Sequence, residues 1–310
     1  MISRRNIRVK VMQSLYTLET LEGGDIKPGE PKRILQKHFD LTQQLATYLV
    51  HCLLQVARYA ETDARQKASK HLPTAEDLNV NTKIAGNELV WKILEQESYI
   101  KAVEAYKPIH KEDTEITRKI YLTLLETPEY KDYVNTSGRT PQAEKKMLEF
   151  IFTTLMLPNE DFTNYTEDNF TNWDDDCEMM ELLVMHYLQK PGSLNFLSLI
   201  SRDKLKFAED LLEAVQNRKE VTMDLIKPRL KNWDPERIAI LDMVLMQMGV
   251  CEFLYFETIP PKVTINEYID LAKAYSTPQS GQFVNGILDN IHKDLVRENK
   301  MLKTDFKKGS

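Results

Sequence analysis

Along most of the chain, apolar residues recur three and four positions apart, the period of a helix with one buried face, and the alternation of a half-buried strand is rare. The first stripe is Ile7, Val11, Leu15 and Leu18, at i, i+4, i+8 and i+11, and predicts a helix reaching about Thr20. Residues 21–31, with Gly23, Gly24, Pro28, Gly29 and Pro31, read as a loop. A long helix follows over about 35–69 through Leu45, Leu49, Leu53, Val56 and Ala60. Its end carries Arg65, Lys67 and Lys70, as helix C-termini favour. The HLPTAEDLNVNT segment reads as a loop, and helices are predicted over 85–105, 112–126, 141–157 and 178–189, with breaks at Pro108, Pro128, Gly138 and Pro158.

After Pro191-Gly192, helices resume over about 202–217, 221–230 and 235–256. The run IAILDMVLMQMGVCEFLYF in the last of these is nearly of bilayer length. Asp242, Gln247 and Glu252 interrupt it and its flanks lack a membrane-type charge asymmetry, so a central core helix is expected. Asp234-Pro235 is read as its N-cap and first residue. Pro260-Pro261 stops it, KVTINEYIDLAKAY forms the next helix, and the STPQSGQ loop turns the chain so that Phe283 and Asn285 start the last one. The fold class expected is all-α.

At 310 residues, one elaborated domain and two packed units are both open. An apolar fraction of 42% supplies a core, and the scarcity of glycine, 10 residues, agrees with helices. Nothing at the N-terminus resembles an apolar signal segment, so the triplets at Asn135, Asn164 and Asn169 carry no glycosylation reading and a cytoplasmic address follows. Cys52, Cys177 and Cys251 lack CxxC spacing and are read as buried free thiols. The crowded acids Asp174, Asp175, Asp176 and Glu178 do not make a calcium loop, because its glycine and glutamate positions hold Met179 and Met185. An acidic first turn of a helix is the plainer reading, with a partner-binding surface as the alternative. Phosphate-loop, dinucleotide and HExxH motifs are absent and the six histidines show no metal spacing, so neither enzyme nor cofactor chemistry is expected.

The net charge of -6 argues against a protein that coats nucleic acid non-specifically, but its distribution is uneven. Arg4, Arg5, Arg8 and Lys10 all precede the first acid, Glu19. Arg5 and Arg8 share one flank of the first helix, and Arg4 lies on the segment leading into it. A solvated first turn would explain them. Yet arginine near a helix N-terminus opposes the macrodipole, which an anion or RNA relieves.

The two ends of the chain together resemble the NusB family of bacterial transcription antitermination factors. The resemblance rests on SRRNIRVKVMQSLYTLE, with Gln13, Leu15 and Tyr16, and on FAEDLLEAV, LIKPRLKNWDPERIAILDMVL, IPPKVTINEYIDLAKAY and QSGQFVNGILD. It implies two small helical bundles, here with a large inserted helical region: residues 1–31 hold the arginine-rich helix, 32–194 the insertion, 195–295 the rest of the core, and 296–310 a frayed basic tail. The implied role is to bind boxA-like single-stranded RNA jointly with the ribosomal protein NusE, within an RNA polymerase antitermination complex and away from any membrane. Carried over residue by residue, Arg4, Arg5 and Arg8 match the arginine motif that meets the RNA backbone. Phe283 matches an aromatic beside the RNA, surrounded by Lys273, Tyr275, Ser280, Gln282 and Asn285. Tyr16 and Asp242 match positions on the NusE side. Met243, Gln247, Gln279 and Gly281 stand where the family is usually more polar or charged, which implies a less charged RNA surface.

Arginine or lysine together with aromatic faces is the set that single-stranded RNA requires. Two readings stand beside it: a helical protein-interaction scaffold built on the insertion, and an accessory RNA-binding protein related to the N-terminal domain of ribosomal RNA methyltransferases. Taken alone, Phe283 and Tyr275 read equally as core aromatics.

Overall fold

The computed structural model describes residues 2–21, 27–230 and 238–303, and every regular element among them is helical. The chain forms two compact units, one of residues 3–38 and 200–310, the other of 1–2 and 39–199. Helix α1 (Arg4–Thr20) and the opening turns of α2 (Glu30–Ala68) belong to the first. The rest of α2 belongs to the second, with α3 (Ala75–Leu78), α4 (Glu88–Leu94), α5 (Glu97–Tyr106), α6 (Thr114–Glu126), α7 (Pro128–Asn135), α8 (Pro141–Phe150), α9 (Glu160–Asn169) and α10 (Trp173–Gln189). The first unit resumes with α11 (Arg202–Asn217), α12 (Lys219–Ile226), α13 (Ile240–Tyr255), α14 (Pro261–Tyr275) and α15 (Ser280–Arg297).

In the unit of residues 3–38 and 200–310, α13 is the central element, and α1, α11, α12, α14 and α15 all pack on it. Its long apolar run is buried on every side, from Val244 to Phe253, as a core helix requires. Gly249 sets the spacing, because a Cβ there would lie 2.9 Å from both methyl groups of Leu288 in α15. Helix α1 starts at Arg4 because the Ser3 side chain accepts from the Asn6 N–H at 3.2 Å and the Asn6 side chain accepts from the Ser3 N–H, a reciprocal cap. Ile7, Val11, Leu15 and Leu18 are all buried, as their spacing predicts. The tail is held as far as Lys303, whose Nζ donates to the carbonyls of Glu252 and Phe256 at 2.7 Å each.

In the unit of residues 39–199, the structure differs from the periodicity in definite places. The helix expected over 85–105 breaks into α4 and α5 at Glu95 and Gln96. No glycine or proline marks the break. The Gln96 side chain instead donates to the Leu194 carbonyl at 2.7 Å and accepts from the Tyr187 hydroxyl at 2.5 Å, tertiary bonds that leave no local signal. Pro128, read as a break, is the first residue of α7 behind the Thr127 cap. In the segment read as the HLPTAEDLNVNT loop, Thr74 caps the single turn of α3.

Helix α9 forms where no helix was expected, and α10 starts five residues early, at Trp173, with Asp174, Asp175 and Asp176 in its first turn. Asp176 accepts from Thr42 Oγ1 at 2.9 Å and Asn172 Nδ2 at 2.7 Å. In the other unit, α2 begins at Glu30, so Pro31 lies in its first turn rather than in the loop. Asp234 and Pro235, expected to open the central helix, lie outside the described residues. All three thiols are free; Cys52 and Cys251 are buried, whereas Cys177 is partly exposed. Among the described residues no helix is long and apolar enough to cross a membrane.

Candidate functional site

Helix α1 presents its arginines at different depths. Arg4 and Arg5 are exposed. The Arg4 guanidinium lies over the Phe207 ring of α11, 5.6 Å from its centroid, and Arg5 Nη1 pairs with Asp270 Oδ2 of α14 at 3.3 Å. Arg8 is only 2% exposed. Its Nε and Nη2 donate to Glu252 Oε1 and Oε2 at 2.7 and 3.1 Å, a bidentate pair, and Nη1 approaches Glu267 at 3.5 Å. Thr264 Oγ1 and the Tyr268 hydroxyl also donate to Glu252, at 2.9 and 2.8 Å. Burial by itself lowers the Arg8 pKa, but the bonds and charge of Glu252 raise it above the ordinary value, so the guanidinium stays charged inside the unit.

The same unit carries the other end of the chain. Lys273 stands one turn beyond Asp270 on α14, and its stem lies where a Cβ on Gly281 would be, 2.7 Å from Lys273 Cγ. Gly281 thus lets α14 lay a lysine across the first turn of α15. From that turn Gln282 and Asn285 are exposed and Phe283 is half-buried. A run of residues therefore leads from Arg5 through Asp270 and Lys273 to the start of α15, joining positions 265 residues apart in sequence.

Ser280 and Asp242 sit deeper, at 1% and 5% exposure. Ser280 donates to Asp242 Oδ2 at 2.7 Å, and Asp242 Oδ1 is buried without a partner among the described residues. The pair fixes the first turn of α15 against α13, with a carboxylate where the helix dipole favours one. Tyr16 is 44% exposed and lines a cavity of ≈ 410 Å³ with Met12, Ile240, Leu241, Tyr275 and Ser276, a largely apolar hollow of α1, α13 and α14.

Of the residues singled out in the sequence, Arg4, Arg5, Lys273, Gln282, Phe283 and Asn285 reach the surface of this unit, while Arg8, Ser280 and Asp242 are interior. Tyr16 and Tyr275 share a cavity. Asp270, Glu252 and Phe207 were not singled out. Glu252 did leave a signal, since an acid in an otherwise apolar helix needs a cation, and the first helix supplies one. Exposed cations and amides beside a half-buried aromatic on one unit suit a ligand with spaced negative charges and flat rings.

These features define an all-helical protein whose basic N-terminal helix is fastened by a buried ion pair to a bundle made from the C-terminal part of the chain. The chain belongs to the NusB family. The NusB family model matches residues 175–293, which covers most of α10, α11 to α14 and most of α15, and leaves α1 outside. Curated relatives include the transcription antitermination protein NusB of Salinibacter ruber, 43% identical over 98 residues, or 32% of this chain and 61% of the relative. The proteins of the same name from Methylacidiphilum infernorum and Desulfatibacillum aliphaticivorans are 41% identical over 104 residues and 38% over 102. The chain spans 72% and 71% of their lengths. It thus matches about three fifths of the first relative's length, and its matched part is about a third of itself. No solved structure matches the chain significantly.

Proposed function

We propose that the protein is a non-enzymatic, cytoplasmic RNA-binding factor in transcription antitermination, which takes boxA-like single-stranded RNA jointly with NusE within an RNA polymerase complex and promotes read-through in ribosomal RNA transcription. The observation that carries this reading is the run from the exposed Arg4 and Arg5 through Lys273 to the exposed Gln282 and Asn285 and the half-buried Phe283 on one unit, held by the Arg5–Asp270 pair. The name of the curated relatives supports the same reading.

Each residue has a physical task in it. Arg4, Arg5 and Lys273 neutralise phosphates, Phe283 offers a face or edge to an unstacked base, and the amides of Gln282 and Asn285 meet base edges. Arg8 works from below, holding α1 in place through Glu252, and Ser280 with Asp242 holds the start of α15. The cavity at Tyr16 and Ile240, apolar and partly open, is the docking place for NusE.

The test is a fluorescence titration of a boxA-like RNA with the full chain at several salt concentrations. Three neutralised phosphates give a slope of log K against log salt of about −2 for a single strand. Arg4→Ala with Arg5→Ala is expected to lower the slope to about −0.7 and to weaken low-salt binding by at least tenfold. Unchanged affinity in that variant would overturn the proposal. Addition of NusE is expected to tighten the complex, and Tyr16→Ala to remove that gain without changing binding of RNA alone.

A further inference from the structure

The unit of residues 39–199 holds a cavity of ≈ 560 Å³ lined by three arginines, Arg58, Arg65 and Arg118, and by three glutamates. Each of the three carboxylates already has a partner. Glu61 Oε2 lies 3.8 Å from Arg65 Nη2, Glu115 Oε1 is 3.0 Å from Arg118 Nη1, and Glu112 Oε2 is 3.1 Å from the buried His51 ring. The remaining cation of the lining, Arg58 of α2, makes no ion pair among the described residues. Its Nε is buried without a hydrogen-bond acceptor. A buried donor left unmade costs free energy, and on a guanidinium the fitting acceptor is an oxyanion, which the planar fork grips through two nitrogens.

The rest of the lining suits something larger than a bare ion. Thr62 and Thr114 bring hydroxyls, and Gln55 and Gln66 bring amides that both donate and accept. Tyr59, braced against Tyr121 with ring centroids 5.2 Å apart, and the exposed Ile109 give apolar faces. The volume lies in the range of small-metabolite sites.

We propose that this cavity is a binding site for a small metabolite bearing one phosphate or carboxylate group, with Arg58 as the anion-binding residue and Tyr59 as the platform for the remainder. The site lies wholly within residues 55–118 and shares no residue with the RNA surface.

Thermal unfolding and calorimetric titration of the full chain test it, with inorganic phosphate, citrate and adenosine monophosphate as probes. At hundredfold excess over its Kd, a bound probe is expected to raise the unfolding midpoint by about 5 °C. Binding of phosphate or adenosine monophosphate but not citrate assigns a phosphate group, and the reverse a carboxylate. Arg58→Gln is expected to abolish the shift. Because Arg58 is partly buried and its loss can disturb the fold, Thr62→Trp, at an exposed lining position, supplies the second variant: it fills the mouth of the cavity and is expected to abolish the shift while helicity and boxA-like RNA affinity stay unchanged. Absence of saturable binding by all three probes at millimolar concentration, or binding that survives Thr62→Trp, would overturn the assignment.

Discussion

Arg8 and Arg5 lie three residues apart on one helix and do opposite work, and burial decides which does which. Arg5 meets Asp270 with both side chains about half exposed, where an ion pair contributes roughly 0–1 kcal/mol. Arg8 meets Glu252 with neither side chain more than 2% exposed, and removing one partner there strands a charge in the interior. Arg8→Ala is therefore expected to lower stability by about 3–5 kcal/mol in urea unfolding, against less than about 1 kcal/mol for Arg5→Ala. The double variant Arg8→Met with Glu252→Gln keeps an acceptor for Thr264 and Tyr268 and is expected to recover more than half of that loss. Equal costs for Arg5→Ala and Arg8→Ala would refute the distinction. At this scale the sequence marked out the arginines but not how they divide, because position along a helix flank does not reveal which neighbour covers it. The acid at Glu252 was visible, and so was its oddity in an apolar run, yet its partner lies 244 residues away.

Among the elements, legibility followed the source of each signal. Helices written by a one-sided apolar stripe, such as α1 and α11, were readable, and so was the Pro260-Pro261 start of α14. The break between α4 and α5 rests on tertiary bonds of Gln96, which no local pattern encodes, whereas the first turn of α10 was legible in its crowded acids, Asp174 to Asp176, although the apolar period began only at 178. Glycines show the same divide. Gly249 and Gly281 both lie in helices with another side chain within 3 Å of the missing Cβ, but the neighbours differ in kind. At Gly249 the obstacle is a packed leucine between α13 and α15, so Gly249→Ala is expected to cost about 1–3 kcal/mol through overpacking. At Gly281 it is the flexible stem of Lys273, which swings aside while alanine gains helix propensity, so Gly281→Ala is expected to stay within about 0.5 kcal/mol of the parent. The same swing moves Lys273 off the first turn of α15 and should weaken RNA binding severalfold. Paired urea melts and RNA titrations read both effects, and a large stability loss at Gly281 would contradict this account of the lysine stem.

At the scale of the whole molecule, residues 3–38 and 200–310 form a unit from the two ends of the chain, and every residue assigned to the RNA and NusE surfaces lies in it. Residues 39–199 carry their own core, from Tyr48 and Phe152 to Tyr187, and the arginine cavity. If the two activities are as separate as the units, replacing residues 39–199 by about 20 Gly/Ser residues, a flexible link with a typical span of about 25 Å, leaves the Arg8–Glu252 pair and the exposed residues of α1, α14 and α15 in place. The shortened chain is expected to melt in one cooperative transition, to bind boxA-like RNA within about threefold of the full chain with the same salt slope, and to lose the response to small anions entirely. The salt slope is the decisive reading, since it counts neutralised phosphates regardless of overall affinity. A slope that falls by about 0.7 or more in a variant that still melts cooperatively would assign at least one phosphate contact to residues 39–199, and the RNA surface would then extend beyond the unit that carries the arginines.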